Sequence, residues 1–281
     1  MKISKWLKAS ALGVALSAPL CASAITVDGI TFAPGAIFET IDLFEGSDAG
    51  FDLNANTLID VPGERLVGIG IVNRILDPLN NVLWENGDNG RELTVYFHSY
   101  VAENVAVNAF GDLDVDFTGG IVEIYSDASQ DFSAVGTQAA GIATANNGNL
   151  FLSLEGSAIG LGSNIAETGG ISGDDVTLAS RGILLGGAVT VLGNGNLDVT
   201  GGSAAAYFDT NQFNCTSAIG VCPDDADKTF SSSGQLNPGN AWAFTGTGEV
   251  QDVAQVVPEP MTTALMGLGL VGLGAIRRKK S

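Results

Sequence analysis

Three groups of residues in this chain have types and spacing that bear on chemistry. Asp112, Asp114 and Asp116 alternate with Leu113, Val115 and Phe117. On an extended strand that spacing puts the carboxylates on one face and the apolar side chains on the other. Aligned carboxylates repel one another. The pattern therefore calls for a solvated acidic face or for a hard cation with oxygen ligands, and calcium is the cation that fits. Asp127 and Asp131 follow closely enough in sequence to join them, although the glycine and distal glutamate of an EF-hand are not in register. Cys215 and Cys222 form the second group, with Pro223, Asp224 and Asp225 directly after. In an exported chain this pair reads as a disulfide closing a small surface loop; a two-thiolate metal site would need further ligands that the neighbourhood lacks. The third is His98, the single histidine, between Phe97 and Ser99. No Gly-x-Ser-x-Gly elbow accompanies it, and one histidine cannot assemble a zinc site. Two of the many acids could meet in space as a hydrolytic pair. The sequence alone names no such pair, and the chain is expected not to be an enzyme.

Short alternating segments must position these residues. Residues 66–72, 93–103, 121–125, 151–154, 188–192, 205–209 and 241–249 read as strands. In the second of them, Thr94, Tyr96, His98 and Tyr100 fall on one face and Leu93, Val95, Phe97 and Val101 on the other. Turn-forming clusters separate the runs at 86–90, 146–149 and 193–196. Such punctuation predicts an all-β fold, a β-sandwich or a related β-rich domain such as a solenoid. Helix should be scarce, and residues 136–144 and 159–173 are too glycine-rich to assign. Residues 111–120 and 195–202 echo one another as Gly-Asp-Leu-Asp-Val and Gly-Asn-Leu-Asp-Val, each ending in Gly-Gly. The surrounding residues do not align, so the echo reads as two strands ending on similar turns.

The ends of the chain differ from its body. Lys2, Lys5 and Lys8, an apolar run over 9–20 and Ala22-Ser23-Ala24 form a signal-peptide pattern over 1–24, with cleavage leaving Ile25 first. At the other end, Pro258-Glu259-Pro260 precedes an uncharged apolar run over 261–276, then Arg277-Arg278-Lys279-Lys280. As a helix the run would be about 24 Å long. That is short for a bilayer core of about 30 Å, so it suits a temporary membrane anchor with its basic end on the cytoplasmic side. Between the two addresses, residues 25–257 hold 30 acids and five cations, Arg65, Arg74, Arg91, Arg181 and Lys228. An acidic domain of this kind repels nucleic acid and anionic lipid and attracts polyvalent cations.

The tail over 258–281 resembles the PEP-CTERM sorting signal of Gram-negative bacteria. The resemblance rests on Pro258, Glu259, Pro260, the glycine- and leucine-rich span and Arg277-Arg278 in that order. It implies transient insertion in the inner membrane and recognition by an exosortase-type enzyme that removes the tail. It implies export to the cell surface or extracellular matrix, and it says nothing of activity. Residues 84–93, 119–127 and 191–210 also resemble segments of flocculation-associated PEP-CTERM proteins of floc-forming bacteria, which implies a role in cell aggregation together with exopolysaccharide. The function expected is thus that of a structural matrix protein. The alternative is a carbohydrate-binding adhesin using Trp84, Tyr96, Tyr100 and Trp242, although aromatics in β domains belong to cores by default.

Overall fold

The structure, a computed structural model, describes residues 24–159, 176–185, 188–210, 216–217, 220–221, 226–237 and 240–252. The strands are β1 (Ile25–Val27), β2 (Ile30–Phe32), β3 (Ile37–Ser47), β4 (Arg65–Leu76), β5 (Val82–Glu85), β6 (Glu92–Val107), β7 (Leu113–Asp127), β8 (Asn149–Ser157), β9 (Leu178–Leu185), β10 (Ala188–Gly201), β11 (Thr216–Ser217), β12 (Gly220–Val221), β13 (Lys228–Leu236) and β14 (Phe244–Asp252). Two short helices join them, α1 (Gln138–Ala145) and α2 (Ala205–Phe208). The expectation of a β-rich domain holds. Two packed sheets do not form: one antiparallel sheet runs β13-β14-β3-β4-β6-β7-β8-β10 and closes when β10 pairs back onto β13. Strands β8 and β9 stand end to end between β7 and β10, each pairing with both. The result is a closed barrel with eight strand positions. Closure leaves the wall without a free edge, which removes the template for strand-to-strand aggregation.

Alternation sets what faces inward. On β7, Val115 and Phe117 point into the barrel and Asp114 and Asp116 lie on the other face, as their spacing predicts. On β4, small and large residues divide the two faces: Gly68 and Gly70 face inward, while Val67 and Ile69 face outward. Gly68 leaves space for the Phe97 ring, which a Cβ there would meet at 2.0 Å. On β6 the expected alternation breaks. Ser99 has φ 63, and the ladder with β4 slips between Leu66 and Gly68. This bulge turns Tyr100 inward beside Phe97, away from Tyr96 and His98 with which the sequence grouped it. Gly120, at φ 99, provides its slot: a Cβ there would lie 2.1 Å from the Tyr100 ring.

Two local expectations are corrected, and a stretch left unassigned takes a definite form. Residues 193–196 form no turn but run through the middle of β10, because both edges of that strand are hydrogen-bonded and ladder pairing outweighs turn preference. Residues 205–208 are helical, and α2 places Phe208 against Phe32 and Phe38 with centroids 4.7 and 5.5 Å away. The unassigned stretch 136–144 contains most of α1, started by Thr137, whose hydroxyl accepts from the Ala140 amide at 3.2 Å. The echo is two strand segments, of β7 and β10, but only the second ends on a turn: β10 stops at Gly201, with Gly202 at positive φ, whereas β7 runs through Gly119 and Gly120 to Asp127.

The barrel has a packed end and a hollow end. At the packed end the β1–β2 hairpin and α2 bring Phe32 together with Phe151, Tyr207 and Phe208. Buried Lys228 lies over the Phe208 ring at 4.1 Å. On the outer wall, α1 forms a second small core with Val67, Ile69 and Trp242. Gln138 fastens this helix by donating to the Ser47 and Ala241 carbonyls at 2.8 and 3.1 Å. The hollow end is covered by residues 48–64, the β3–β4 connection. Carboxylates organise it: Asp52 accepts the amides of residues 54–57, and Glu64, fully buried, accepts those of Leu53, Asp60 and Val61.

Candidate functional site

The hollow end contains a cavity of about 390 Å³. Its wall is mostly apolar, drawn from Leu43, Leu66, Val95, Phe97, Val115 and Val250 among others, with Leu58, Ile59 and Asp60 of the covering loop. Size and lining are those of a small-molecule site inside a barrel of eight strand positions. One ionisable side chain on the wall is out of keeping. Glu45, on β3, is 6% exposed and faces the cavity. No described residue forms a hydrogen bond with its carboxyl, and burial pushes its pKa up to about 7. Tyr100, on the same wall, has its phenol pushed up by burial as well.

Glu45 is not singled out by its immediate sequence. The signal is present as an acid on the apolar side of a strand, in Phe38, Thr40, Leu43, Glu45. A bulge at residues 40–42, where the ladder to β4 shifts, hides the period of two.

The structure gives the aspartates of β7 a protein cation. Register places Arg181 of β9 directly opposite Asp114. The guanidinium donates to the Asp114 carboxylate at 2.6 and 3.3 Å, and Asn108 donates at 3.1 Å. Asp114 is 1% exposed, so this pair sits in the strand interface and not on a solvated face. Asp116 accepts from Asn104 at 3.2 Å. Burial raises its pKa against that hydrogen bond, and the Asp114 charge raises it further. Asp112 is half-buried, with its amide donating to Asn108.

Asp127 and Asp131 do not join them. They lie at the far end of β7 with Glu92, and the three carboxylates have oxygens within 4.8 Å of one another. Glu92 accepts the amides of Asp131 and Phe132 at 2.9 and 3.1 Å. Burial raises its pKa, those amides lower it, and the Asp127 and Asp131 charges raise it. Among the described residues no lysine or arginine pairs with this trio. Three carboxylates this close offer oxygen ligands of the kind a hard cation takes.

His98 lies on the outer face, stacked on Tyr96 with centroids 4.7 Å apart. Its Nδ1 is 2.7 Å from the Ser99 hydroxyl, and its Nε2 is 3.8 Å from Glu123. Glu123 instead accepts the Tyr125 hydroxyl at 2.9 Å. The acid is thus beyond hydrogen-bond reach of the ring. Of the four aromatics considered for glycan binding, Trp84, Tyr100 and Trp242 are buried in the cores, and Tyr96 is half-buried beneath α1's cluster.

The pair Cys215 and Cys222 lies outside the described residues, as do 1–23 and the tail elements Pro258, Glu259, Pro260, Arg277 and Arg278. Among the described residues no helix is long and apolar enough to cross a membrane. Residues 256–279 match the family model of the PEP-CTERM protein-sorting motif. The chain therefore carries the sorting signal of exported, membrane-transiting surface proteins that exosortases process. No curated protein and no solved structure matches the chain.

Proposed function

We propose that the chain is a non-enzymatic component of the extracellular matrix. It would promote cell aggregation with anionic exopolysaccharide through divalent cations such as calcium. The observation that carries this reading is how the few cations of the barrel are used. Arg74 pairs with Glu39 and Arg181 with Asp114. Arg65 lies over the Phe51 ring at 3.6 Å, and Lys228 is buried on Phe208. With four of the five cations engaged in this way, the remaining outward-facing carboxylates outnumber the barrel's own cations and are left to solution cations. A cation that binds two carboxylates at once can bridge this surface to a uronate or sulfate of a polysaccharide. The trio Glu92, Asp127 and Asp131 is the best-defined place for it. The sorting motif supplies the route to the cell surface.

The test compares a host strain lacking the gene with the same strain carrying the full-length chain. Aggregation should require the chain, disperse on chelation and return with millimolar calcium. Aggregates that persist in chelator, with polysaccharide still bound by the purified protein, would favour a carbohydrate-binding adhesin instead. Unchanged aggregation without the gene would remove both.

A further inference from the structure

We infer that the barrel interior is a binding site for one small apolar molecule bearing a single N–H or O–H donor, held with that donor on Glu45. This site is separate from the outer carboxylates and does not rest on the matrix role. Three observations combine. The cavity, about 390 Å³, is large enough for a ligand of fused-ring or short-chain size, and its wall offers mainly hydrocarbon. The hollow is built into the fold: where inward positions could carry a side chain they carry glycine, as at Gly182 and Gly248, where a Cβ would meet nothing closer than 3.7 and 3.4 Å. The third is the placement of Glu45, 6% exposed and directed into this hollow with no described hydrogen-bond partner.

A buried carboxyl without a partner costs stability, and an apolar filling would be the simpler way to complete a core. A partner arriving with the ligand accounts for its presence. The carboxyl accepts one hydrogen bond from the donor, while the wall takes the apolar body. Selectivity follows directly, since a ligand of the same shape without the donor leaves Glu45 unpaired, and sites built around a polar group discriminate on that basis. The covering loop over residues 48–64 presents Leu58 and Ile59 to the same space, so the ligand would be enclosed at this end.

The experiment uses the full-length chain in lipid nanodiscs, with empty nanodiscs subtracted. The probe is 1-aminoanthracene, an apolar ring system with one amine, compared with anthracene, which lacks the donor. Saturable one-to-one enhancement of aminoanthracene emission is expected, with anthracene binding at least tenfold more weakly. Ser232→Trp directs an indole into the cavity and should abolish binding of both probes while the melting transition persists. Glu45→Leu should bring the two probes to within about twofold of each other. Absence of saturable binding to the wild-type chain would overturn the inference, as would undiminished binding in a folded Ser232→Trp variant. Should that variant not fold, Glu45→Leu decides alone, and an unchanged preference for the amine there would also overturn it.

Discussion

A carboxyl in an apolar wall makes the stability of the whole barrel answer to pH. Glu45 carries its proton up to about pH 7 in the folded chain, against an ordinary value near 4.5, because burial disfavours its charge. The folded state therefore binds the extra proton between those two values, and this residue's contribution falls as pH rises through them. Below about pH 4.5 Glu45 is neutral in both states and costs little by this route. Above pH 7 it must be ionised in the barrel, at a cost of roughly 3 kcal/mol. Glu45→Gln keeps the shape and removes the titration. In urea unfolding the variant should match the wild type at pH 4 and exceed it by about 3 kcal/mol at pH 8. Asp116 and Glu92 are shifted in the same direction and cancel in that difference. An equal gap at both pH values would show that Glu45 does not titrate in the cavity.

Strand pairing explains why an arginine nearly seventy residues away completes the aspartate row of β7. Strand β9 meets β7 only over residues 113–117, and the Arg181–Asp114 pair is the second of the five pairs in that short ladder. Arg181→Gln leaves Asp114 buried with only Asn108 to donate to it. It should cost about 2–3 kcal/mol, and Asp114→Asn added to it should recover most of that loss. Thermal melts of the two variants decide the matter, and a neutral Arg181→Gln would mean that β9 is held by its backbone alone. Calcium bound on the same face would show differently, as a melting temperature raised by millimolar calcium in the wild type but not in Asp114→Asn, Asp116→Asn. The aspartate alternation was legible because it depends only on the period of a strand. Its countercharge was not, because register between distant strands leaves no mark in local spacing. The same division runs through the other elements. The clusters over 86–90 and 146–149 do fall where β5 and α1 end, whereas that over 193–196 is pulled into β10 by neighbours on both sides. Single-residue bulges at Ser99 and near Ile41 reversed the faces of Tyr100 and concealed Glu45. Closure into a barrel depends on the β10–β13 ladder, which joins segments whose glycines and serines carry no strong β pattern.

At the scale of the molecule the matched sorting motif marks the barrel for export, and the signal peptide expected over 1–24 would start that route. Strand β1 begins at Ile25, where signal cleavage is expected. Strand β14 ends at Asp252, so three residues separate the last described strand from the matched sorting motif at 256–279. Among the described residues the barrel ladders end at Asp252, and removal of the tail would leave each of those pairings in place. Processing should therefore yield a stable released protein. Its intact mass, measured on material from the medium of the native host, should correspond to a chain starting near Ile25 and ending near residues 258–260. The same spectrum reports on Cys215 and Cys222: a bridge between them makes the chain two mass units lighter than its reduced form and blocks alkylation until reductant is added. Replacing Pro258, Glu259 and Pro260 with alanine should remove the recognised element, hold the protein in the envelope with Arg277 and Arg278 still attached, and empty the medium of it. If the unaltered chain itself is found only in the envelope with those arginines retained, the tail acts as a lasting anchor, and the acidic barrel works tethered to the cell and not as free matrix.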